Sequence, residues 1–191
     1  MKKIKIITFL GVDGSGKSTL IKELRKYYKT NKIKNKYIHL IPRLINKKTK
    51  PVKNPHSKEF RSEFASFLKL LYWIVLFKIF IVKILLENKN FIYIFDRYPH
   101  DLLIDPRRYR FRLNPNITEF MLNFMPKPSH CIVLCGPPKL LWRRKKEIDY
   151  KSLKSINKKY KKFAKKNNFF LLQTNKNKKS LLSNLVKYLN D

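Results

Sequence analysis

The residues between the first apolar segment and the first helical segment have the types and spacing of a phosphate-binding loop. They read G-x-x-x-x-G-K-S, with Gly11, Gly16, Lys17 and Ser18 at the defining positions. Backbone N–H groups can surround a phosphate only where side chains are absent, and three of the chain's four glycines, Gly11, Gly14 and Gly16, lie here. We therefore expect this loop to bind the phosphates of a nucleotide.

Each side chain of this loop has a role that follows from its chemistry. The Lys17 ammonium places a positive charge on the β and γ phosphates, and the Ser18 hydroxyl is a ligand for magnesium. The helix that begins near Lys17 directs the positive end of its dipole at the anion. ATP and Mg²⁺ are therefore the expected cofactors. The expected ATP contacts are Gly11, Asp13, Gly14, Ser15, Gly16, Lys17, Ser18 and Thr19.

Apolar periodicity predicts the elements that position the loop. Residues 4–10 form an apolar segment typical of a buried strand, and residues 17–28 have apolar side chains at helical spacing. A glycine-rich turn that matches the motif by chance is the alternative, but it would not require this strand, loop and helix context. Further strands are predicted at 37–41, 91–95, 131–135 and 169–173, and further helices at 116–124, 139–146, 153–166 and 180–189.

Short apolar strands that alternate with helices are typical of a parallel sheet covered by helices on both faces. We therefore predict an α/β fold, a three-layer sandwich around a five-stranded parallel sheet. With 191 residues, of which 43% are hydrophobic, the chain is long enough for one substantial core. One domain spanning residues 1–191 is expected, because no internal repeat or domain boundary is visible.

The chain is strongly basic. Its 45 Lys and Arg residues against 12 Asp and Glu give a formal net charge of +33, which produces self-repulsion unless polyanions bind. Nucleotides, nucleic acid and anionic membrane surfaces are the candidate partners, and a lysine-rich amphipathic helix near 151–166 could contact the larger ones. The alternative explanation of the excess lysine is a compositional bias of the source genome.

The two cysteines, Cys131 and Cys135, lie four residues apart in one predicted strand. Their Cα atoms are then about 13 Å apart, beyond the reach of a disulfide. A reducing compartment and a cytoplasmic location are therefore expected, and the short apolar run at the N-terminus does not suit a signal peptide. The four histidines form no spaced ligand set with the cysteines, so a structural zinc site is not expected.

The most apolar part of the chain, residues 64–86, is a candidate membrane span. Lys69, Lys78 and Lys83 interrupt it, so its uncharged runs are far shorter than the roughly 20 residues that a span needs. We expect no transmembrane segment, but one long, mostly buried helix or two helices joined by a kink. A membrane-surface helix is the alternative, although the lysines do not gather on one face.

Ligands of a parallel sheet collect at the carboxyl ends of its strands. Asp96 and Arg97 follow the third predicted strand, so we expect them to face the same crevice as the loop. Asp96 would hold magnesium together with Ser18, and the Arg97 guanidinium would bind a phosphate. The alternative is an Asp-Arg pair that only closes a strand at the surface.

Two further basic segments follow. The first, residues 100–112, contains Arg107 and Arg108, and it could line an acceptor pocket or form an internally paired surface loop. The second, near 139–152, contains Arg143 and Arg144 and is predicted to act as a lid that neutralises a transferring phosphoryl group. A solvated basic helix is the alternative there. The predicted catalytic residues are Lys17, Asp96, Arg97, Arg143 and Arg144.

Over nearly its whole length the chain resembles the thymidylate kinases, a group within the P-loop nucleoside monophosphate kinases. FLGVDGSGKSTL is the most specific segment of the resemblance. It implies that Asp13 reaches the sugar of the acceptor nucleotide and that Arg97 and Arg43 bind the acceptor phosphate. Asp96, Arg97 and Tyr98 match the family's Asp-Arg-Tyr. The expected acceptor contacts are Asp13, Arg43, Arg97, Tyr98, Arg107 and Arg108.

The chain also departs from the family pattern. Leu10 stands where the family has Glu, the Arg-Glu-Pro-Gly motif is absent around Arg43, and DRYPHDLLIDPRRYR replaces the segment that recognises thymine. That segment resembles a thymidylate kinase-like branch from bacterial surface-polysaccharide gene clusters. The predicted function is ATP-dependent phosphoryl transfer to a nucleoside monophosphate, with dTMP as the first candidate. Transfer to a sugar or sugar-nucleotide, and a non-catalytic NTP-binding protein on polyanions, are the alternatives, and a homodimer is left open.

Overall fold

A computed structural model describes residues 5–42, 56, 58–87, 90–175 and 177–190. The chain divides into two compact units. The sheet unit comprises Met1–Ile38, Asn90–Arg97 and Pro128–Asp191, and the helical unit comprises His39–Lys89 and Tyr98–Lys127. The expectation of one domain over residues 1–191 stays a prediction.

Five parallel strands form the sheet. They are β1 (Lys5–Leu10), β2 (Asn35–His39), β3 (Ile92–Asp96), β4 (His130–Cys135) and β5 (Phe170–Gln173), in the order β2-β3-β1-β4-β5. The central strand β1 pairs with β3 and β4, so that Phe9 lies opposite both Asp96 and Ile132. The predicted α/β fold with a five-stranded parallel sheet is confirmed.

The bounds of β2 were predicted wrongly. The sequence places this strand at 37–41, whereas it begins at Asn35 and ends at His39. Leu40 has a left-handed backbone conformation, with φ of 62°, and this ends the strand before the apolar Ile41. The bounds of the other strands agree with the prediction to within one residue at each end.

Seven α-helices occur among the described residues. They are α1 (Lys17–Thr30), α2 (Glu63–Glu87), α3 (Asp101–Ile104), α4 (Pro115–Leu122), α5 (Pro138–Arg144), α6 (Tyr150–Lys166) and α7 (Lys178–Asn190), and Pro106–Tyr109 forms a 3₁₀ turn. Neither α3 nor this turn was predicted, because each has four residues and periodicity needs a longer segment.

Helices cover both faces of the sheet, as the predicted three layers require. Ile7 and Phe9 of β1 belong to a buried cluster with Leu24 of α1 and Leu185 of α7. On the opposite face, the Cys135 thiol lies 3.9 Å from the backbone carbonyl oxygen of Asn157 in α6. Because side chains alternate along a strand, each strand contributes to two cores.

The helical unit is built on α2, which is one continuous helix. Its buried side packs against rings from the chain that follows β3. The ring of Phe77 lies 5.0 Å from that of Tyr98, and the ring of Trp73 lies 6.0 Å from that of Tyr109, both edge to face.

The expectation that α2 is mostly buried is wrong. Seven of its 25 residues are buried, and large apolar side chains such as Phe64 and Leu86 are 71% and 81% exposed. Periodicity does not reveal this, because α2 is apolar on both sides and the sequence cannot show which side is covered. Among the described residues, no helix combines the length and hydropathy needed to cross a membrane.

The pH dependence of stability tests the packing around His100, whose ring stacks on Tyr98 at 5.5 Å. Burial lowers the pKa of this imidazole from 6.5 to about 4, although the charge of Asp101 acts in the opposite direction. Between these values the unfolded chain binds a proton that the folded chain excludes, so stability is lost as the pH falls. From pH 7 to pH 5 we expect His100 to account for a loss on the order of 2 kcal/mol in the free energy of unfolding.

Urea unfolding of wild type and His100→Gln at the two pH values measures this loss. The variant should lose less stability on acidification than wild type. His39→Gln, which removes an exposed imidazole, is the control and should keep the wild-type loss. An equal loss in wild type and His100→Gln would contradict the assignment.

Candidate nucleotide-binding site

The loop between β1 and α1 has the backbone conformation that its glycines allow. Gly11, Gly14 and Gly16 have φ values of 140°, 78° and 86°, which side chains disfavour. Gly16 is the N-cap of α1, no side chain caps this helix end, and its first turn contains no acidic residue. The N–H groups and the positive dipole end of α1 are therefore available to an anion.

Two of these glycines lie against other parts of the backbone. A Cβ atom on Gly11 would lie 2.4 Å from the carbonyl oxygen of Leu134 in β4. A Cβ atom on Gly14 would lie 2.5 Å from the carbonyl oxygen of Leu141 in α5. The loop is thus held between β4 and α5, and no side chain fits at either position.

Lys17 directs its charge into the loop. Its side chain is 6% exposed, and Nζ donates to the carbonyl oxygens of Gly11 at 2.6 Å and Val12 at 2.9 Å. Ser15 Oγ lies 3.4 Å from the same nitrogen. These contacts hold the ammonium against the loop backbone, and its contact with a phosphate stays a prediction.

Asp96 lies beside the start of α1. Its Oδ2 accepts hydrogen bonds from the Ser18 hydroxyl at 3.3 Å and from the Tyr37 hydroxyl at 3.2 Å. The pairing of β3 with β1 produces this contact, because it aligns Asp96 with Phe9, just before the loop. The crevice shared by Asp96 and the loop was expected from the sequence.

The residues around Asp96 suit a magnesium ion whose coordination is completed by ligands from outside the protein. A carboxylate and a hydroxyl are oxygen ligands of the kind that Mg²⁺ prefers, and Mg²⁺ usually keeps waters and phosphate oxygens as well. The described residues contain no cluster of three or more His, Cys, Asp or Glu that could hold a metal alone. Ser18 and Asp96 would therefore supply the protein ligands.

Tyr37 is a site residue that the sequence did not indicate, because a tyrosine in a strand carries no motif. Burial, followed by the charge of Asp96 and the hydrogen bond to it, raises the pKa of the Tyr37 hydroxyl to about 12. The hydroxyl therefore stays protonated at neutral pH and remains a donor. This donation orients the Asp96 carboxylate.

Arg97 joins the end of β3 to the loop. Its Nη2 donates to Asp13 Oδ1 at 2.6 Å, and the Arg97 side chain is 4% exposed. Arg97 also has a left-handed backbone, with φ of 79°, and its N–H donates to the carbonyl oxygen of Phe9. Such a conformation costs on the order of 1–3 kcal/mol in a non-glycine residue. Two of the six residues predicted to contact the acceptor, Asp13 and Arg97, thus contact each other.

The other predicted acceptor residues belong to the helical unit or lie outside the described residues. Tyr98 is fully buried, and its hydroxyl donates to the carbonyl oxygen of Pro126 at 2.5 Å. Arg107 Nε donates to the carbonyl oxygen of His56, and Arg108 is partly buried. Arg43 lies outside the described residues. The acceptor contacts of these four residues stay predictions.

The acidic groups near Arg107 are engaged within the helical unit. Asp101 Oδ2 accepts a hydrogen bond from the Tyr109 hydroxyl at 2.9 Å. The carboxylate of Asp105 lies 3.0 Å from His56 Nε2. Neither contact pairs a carboxylate with an arginine of residues 100–112, so the acceptor pocket and the internally paired loop both stay predictions.

The predicted lid segment contains α5 and its basic extension. Asn157 Nδ2 donates to the carbonyl oxygen of Gly136, and this contact with α6 fixes the bend that leads from β4 into α5. Arg143 and Arg144 are exposed in the last turn of α5. Lys145 pairs with Glu147 at 2.6 Å, and Lys146 Nζ lies 4.8 Å from the Trp142 ring. Closure of this segment stays a prediction.

A cavity of about 210 Å³ adjoins the loop within the sheet unit. Apolar side chains and polar groups both line it, among them Thr19, Leu20, Leu134, Arg144, Thr174 and Lys178. Of the two predicted lid arginines, Arg144 is therefore the one at the cavity. Thr174 and Lys178 were not predicted, although their place after the carboxyl end of β5 is a signal that could have found them.

Comparisons with known proteins give the fold. No family model matches the chain, and no curated protein sequence matches it. A solved structure of deoxyadenosine kinase from M. mycoides with bound dATP has 19% sequence identity to it and a TM-score of 0.63. The alignment covers 98% of this chain and 100% of that one. The chain has the fold of a P-loop kinase.

A second solved structure of the M. mycoides deoxyadenosine kinase, with the products dCMP and a flexible dCDP bound, agrees with the first. Its TM-score is 0.58 at 19% identity, and the alignment covers 97% of this chain and 98% of that one. The similarity therefore includes both units of this P-loop kinase fold. At such low identity it establishes the fold alone.

A matched pair of glycine substitutions tests the loop geometry. Gly14→Ala and Gly16→Ala both place a side chain at a positive φ, but only the first meets a backbone atom, because nothing lies within 4 Å of the Gly16 position. We expect Gly16→Ala to lower the free energy of unfolding by about 1–2 kcal/mol and Gly14→Ala by about 3 kcal/mol or more. Urea unfolding measures both values. Equal losses would contradict the close contact of the loop with α5.

Proposed function

We propose that this protein is an ATP-dependent phosphotransferase that acts on a nucleoside monophosphate. The observation that carries the proposal is the placement of Lys17, Asp96 and Arg97 around one glycine loop at the carboxyl edge of the sheet. The likeness in fold to a deoxyadenosine kinase supports it. The sequence resemblance to thymidylate kinases makes dTMP the first candidate acceptor.

The donor nucleotide would occupy the loop and the adjoining cavity. Backbone N–H groups from Gly11 to Ser18 would bind its phosphates, and Lys17 Nζ would exchange the carbonyl oxygens of the loop for phosphate oxygens. The cavity beside Thr19 and Arg144 would take the base, because it offers apolar walls with polar groups at the edge. Arg144 would lie between base and phosphates.

Magnesium would be held by Ser18 and Asp96, with Tyr37 as the group that orients the carboxylate. When bound, the ion neutralises charge on the β and γ phosphates. The protein's own contribution is positioning and preorganised positive charge, supplied by Lys17 and by the N-terminus of α1.

The engaged state of the carboxylates favours a phosphate as the acceptor. A monophosphate oxyanion can attack without a general base, whereas a nucleoside hydroxyl needs one within hydrogen-bond distance. The carboxylates of the two acidic residues predicted at the site are both engaged, Asp13 with Arg97 and Asp96 with Ser18 and Tyr37. A deoxynucleoside is the second candidate acceptor, because the structural neighbours are deoxyadenosine kinases.

An ADP-release assay with ATP, Mg²⁺ and a panel of acceptors tests the proposal. The panel contains dTMP, the other nucleoside monophosphates, the deoxynucleosides and sugar phosphates. We expect turnover with a monophosphate, and Lys17→Ala should lower kcat/KM by about 10³-fold or more, because a charge that stabilises the transition state is removed.

Lys26→Ala is the matched control, since Lys26 is an exposed lysine of the same helix. It should retain wild-type turnover. Full activity in Lys17→Ala, or ATP binding without transfer to any acceptor, would overturn the proposal. If only deoxynucleosides are turned over, the acceptor is a deoxynucleoside, the second candidate, and not a monophosphate.

A further inference from the structure

Three positively charged residues of the helical unit gather at one place. They are Arg61, just before α2, Lys69, within α2, and Arg110, directly after the 3₁₀ turn. Lys69 Nζ donates to the carbonyl oxygen of Tyr109 at 2.7 Å, and the N–H of Arg61 donates to the carbonyl oxygen of Arg110 at 2.9 Å. Two successive carbonyl groups therefore hold the three residues together. We call Arg61, Lys69 and Arg110 the cation cluster.

The backbone on both sides of the cation cluster is held by further contacts. Arg110 Nε donates to the carbonyl oxygen of Glu59 at 2.8 Å, and the N–H of Arg112 donates to Ser66 Oγ at 2.9 Å. Arg110 also has a left-handed backbone, with φ of 54°, which costs free energy in a residue that has a side chain. Two stretches that are distant in sequence thus run side by side. The cluster is therefore a product of the fold and not of neighbouring sequence positions.

Lys69 is enclosed on one side by aromatic rings. Its Nζ lies 5.1 Å from the centre of the Trp73 ring and 5.7 Å from the centre of the Tyr109 ring. An ammonium has three N–H donors. Among the described residues, the Tyr109 carbonyl oxygen is the one hydrogen-bond acceptor that Lys69 Nζ contacts. Further N–H groups of Lys69 can therefore bind an anion.

Within the described part of the chain, no carboxylate forms an ion pair with the cation cluster. Burial, followed by the charges of Arg61 and Arg110, lowers the pKa of Lys69 from 10.5 to about 8. The folded chain thus stabilises this ammonium less than the unfolded chain does. An anion between the three side chains would favour the ammonium and offset the repulsion among them.

We propose that the cation cluster is a binding site for a phosphate group. A phosphate dianion has two negative charges and oxygen acceptors on several sides, which suits three cations from different parts of the chain. A carboxylate has a single charge and fits less well. Arginine binds phosphate through paired N–H groups. The Arg61 guanidinium and the terminal nitrogens of Arg110 make no hydrogen bond with the residues that the structure describes, so these groups can take that role.

The proposed site shares no residue with the glycine loop. Its three residues belong to the helical unit, whereas the loop belongs to the sheet unit. None of the three is among the residues expected to contact the acceptor. The ligand is therefore an additional phosphate, which is either free in solution or carried by a substrate that has more than one phosphate group. The second case rests on the proposed function, whereas the first does not.

NMR of the Lys69 side chain measures binding at the site itself. In protein labelled with [¹³C]lysine, the Cε resonance of Lys69 is assigned by its absence in Lys69→Met. We expect inorganic phosphate to raise the pKa of Lys69 by about one unit or more, because a nearby anion favours the protonated form. Sodium chloride at the same ionic strength is the control for screening and should raise this pKa less. Equal shifts in phosphate and chloride would overturn the proposal.

Substitutions separate the cation cluster from the glycine loop. In Arg61→Met, the dissociation constant for phosphate, measured at Lys69, should rise by about 10-fold or more, because a charge-assisted hydrogen bond is lost. Arg61 is exposed, so this variant should fold as wild type does. Lys78→Met removes an exposed lysine of the same helix and is the matched control, which should keep the wild-type constant.

Two results with these variants would overturn the proposal. The first is equal phosphate affinity in Arg61→Met and wild type. The second is loss of the Lys69 response in Lys17→Ala, because that loss would assign the phosphate to the glycine loop. The account predicts that Lys17→Ala keeps the wild-type dissociation constant at Lys69.

A comparison of ligands identifies the source of the phosphate. If a substrate carries it, thymidine 3′,5′-bisphosphate should bind at least about tenfold more tightly at Lys69 than inorganic phosphate, because linked contacts reinforce each other. If the phosphate is free, inorganic phosphate should bind at least as tightly as the bisphosphate. A Lys69 resonance that responds to neither ligand would overturn the proposal. A normal response in a protein that turns over no acceptor would overturn the proposed function alone.

Discussion

The close approach of the loop backbone to two other backbone segments is the constraint on which the site depends. A Cβ atom on Gly11 would lie 2.4 Å from the carbonyl oxygen of Leu134, and one on Gly14 would lie 2.5 Å from that of Leu141. No side chain fits at these distances. This contact connects the first strand to the fourth strand and to the helix after it. Since β3 lies on the other side of β1, the same geometry places Asp96 beside Ser18 and Arg97 beside Asp13.

Much of this arrangement could be predicted, because the strongest signals in the sequence are local. The G-x-x-x-x-G-K-S spacing fixes the loop, and the rule that parallel strands collect ligands at one edge brings Asp96 to it. Tyr37 lacked such a signal, since a tyrosine in a strand is common, and Thr174 had only the weaker signal of its place after the carboxyl end of β5. The burial of α2 could not be predicted either, because burial depends on tertiary contacts and the helix is apolar on both sides.

The positively charged side chains at the loop differ in character from the largely apolar exposed side of α2. At the loop, positive groups are held by short contacts, with Lys17 on the loop carbonyls and Arg97 on Asp13, so their positions are defined before any anion binds. The exposed side of α2, by contrast, has large apolar side chains such as Phe64 and Leu86. Preorganised charge of this kind suits phosphate chemistry.

The most direct test of the central claim is a crystal structure with a non-hydrolysable ATP analogue and Mg²⁺. The account predicts that the β and γ phosphates lie within the N–H groups of residues 11–18, with Lys17 Nζ turned from the carbonyl oxygens of Gly11 and Val12 onto the phosphates. The metal should lie against Ser18 and Asp96. Nucleotide bound away from this loop, or a metal that contacts neither Ser18 nor Asp96, would contradict it.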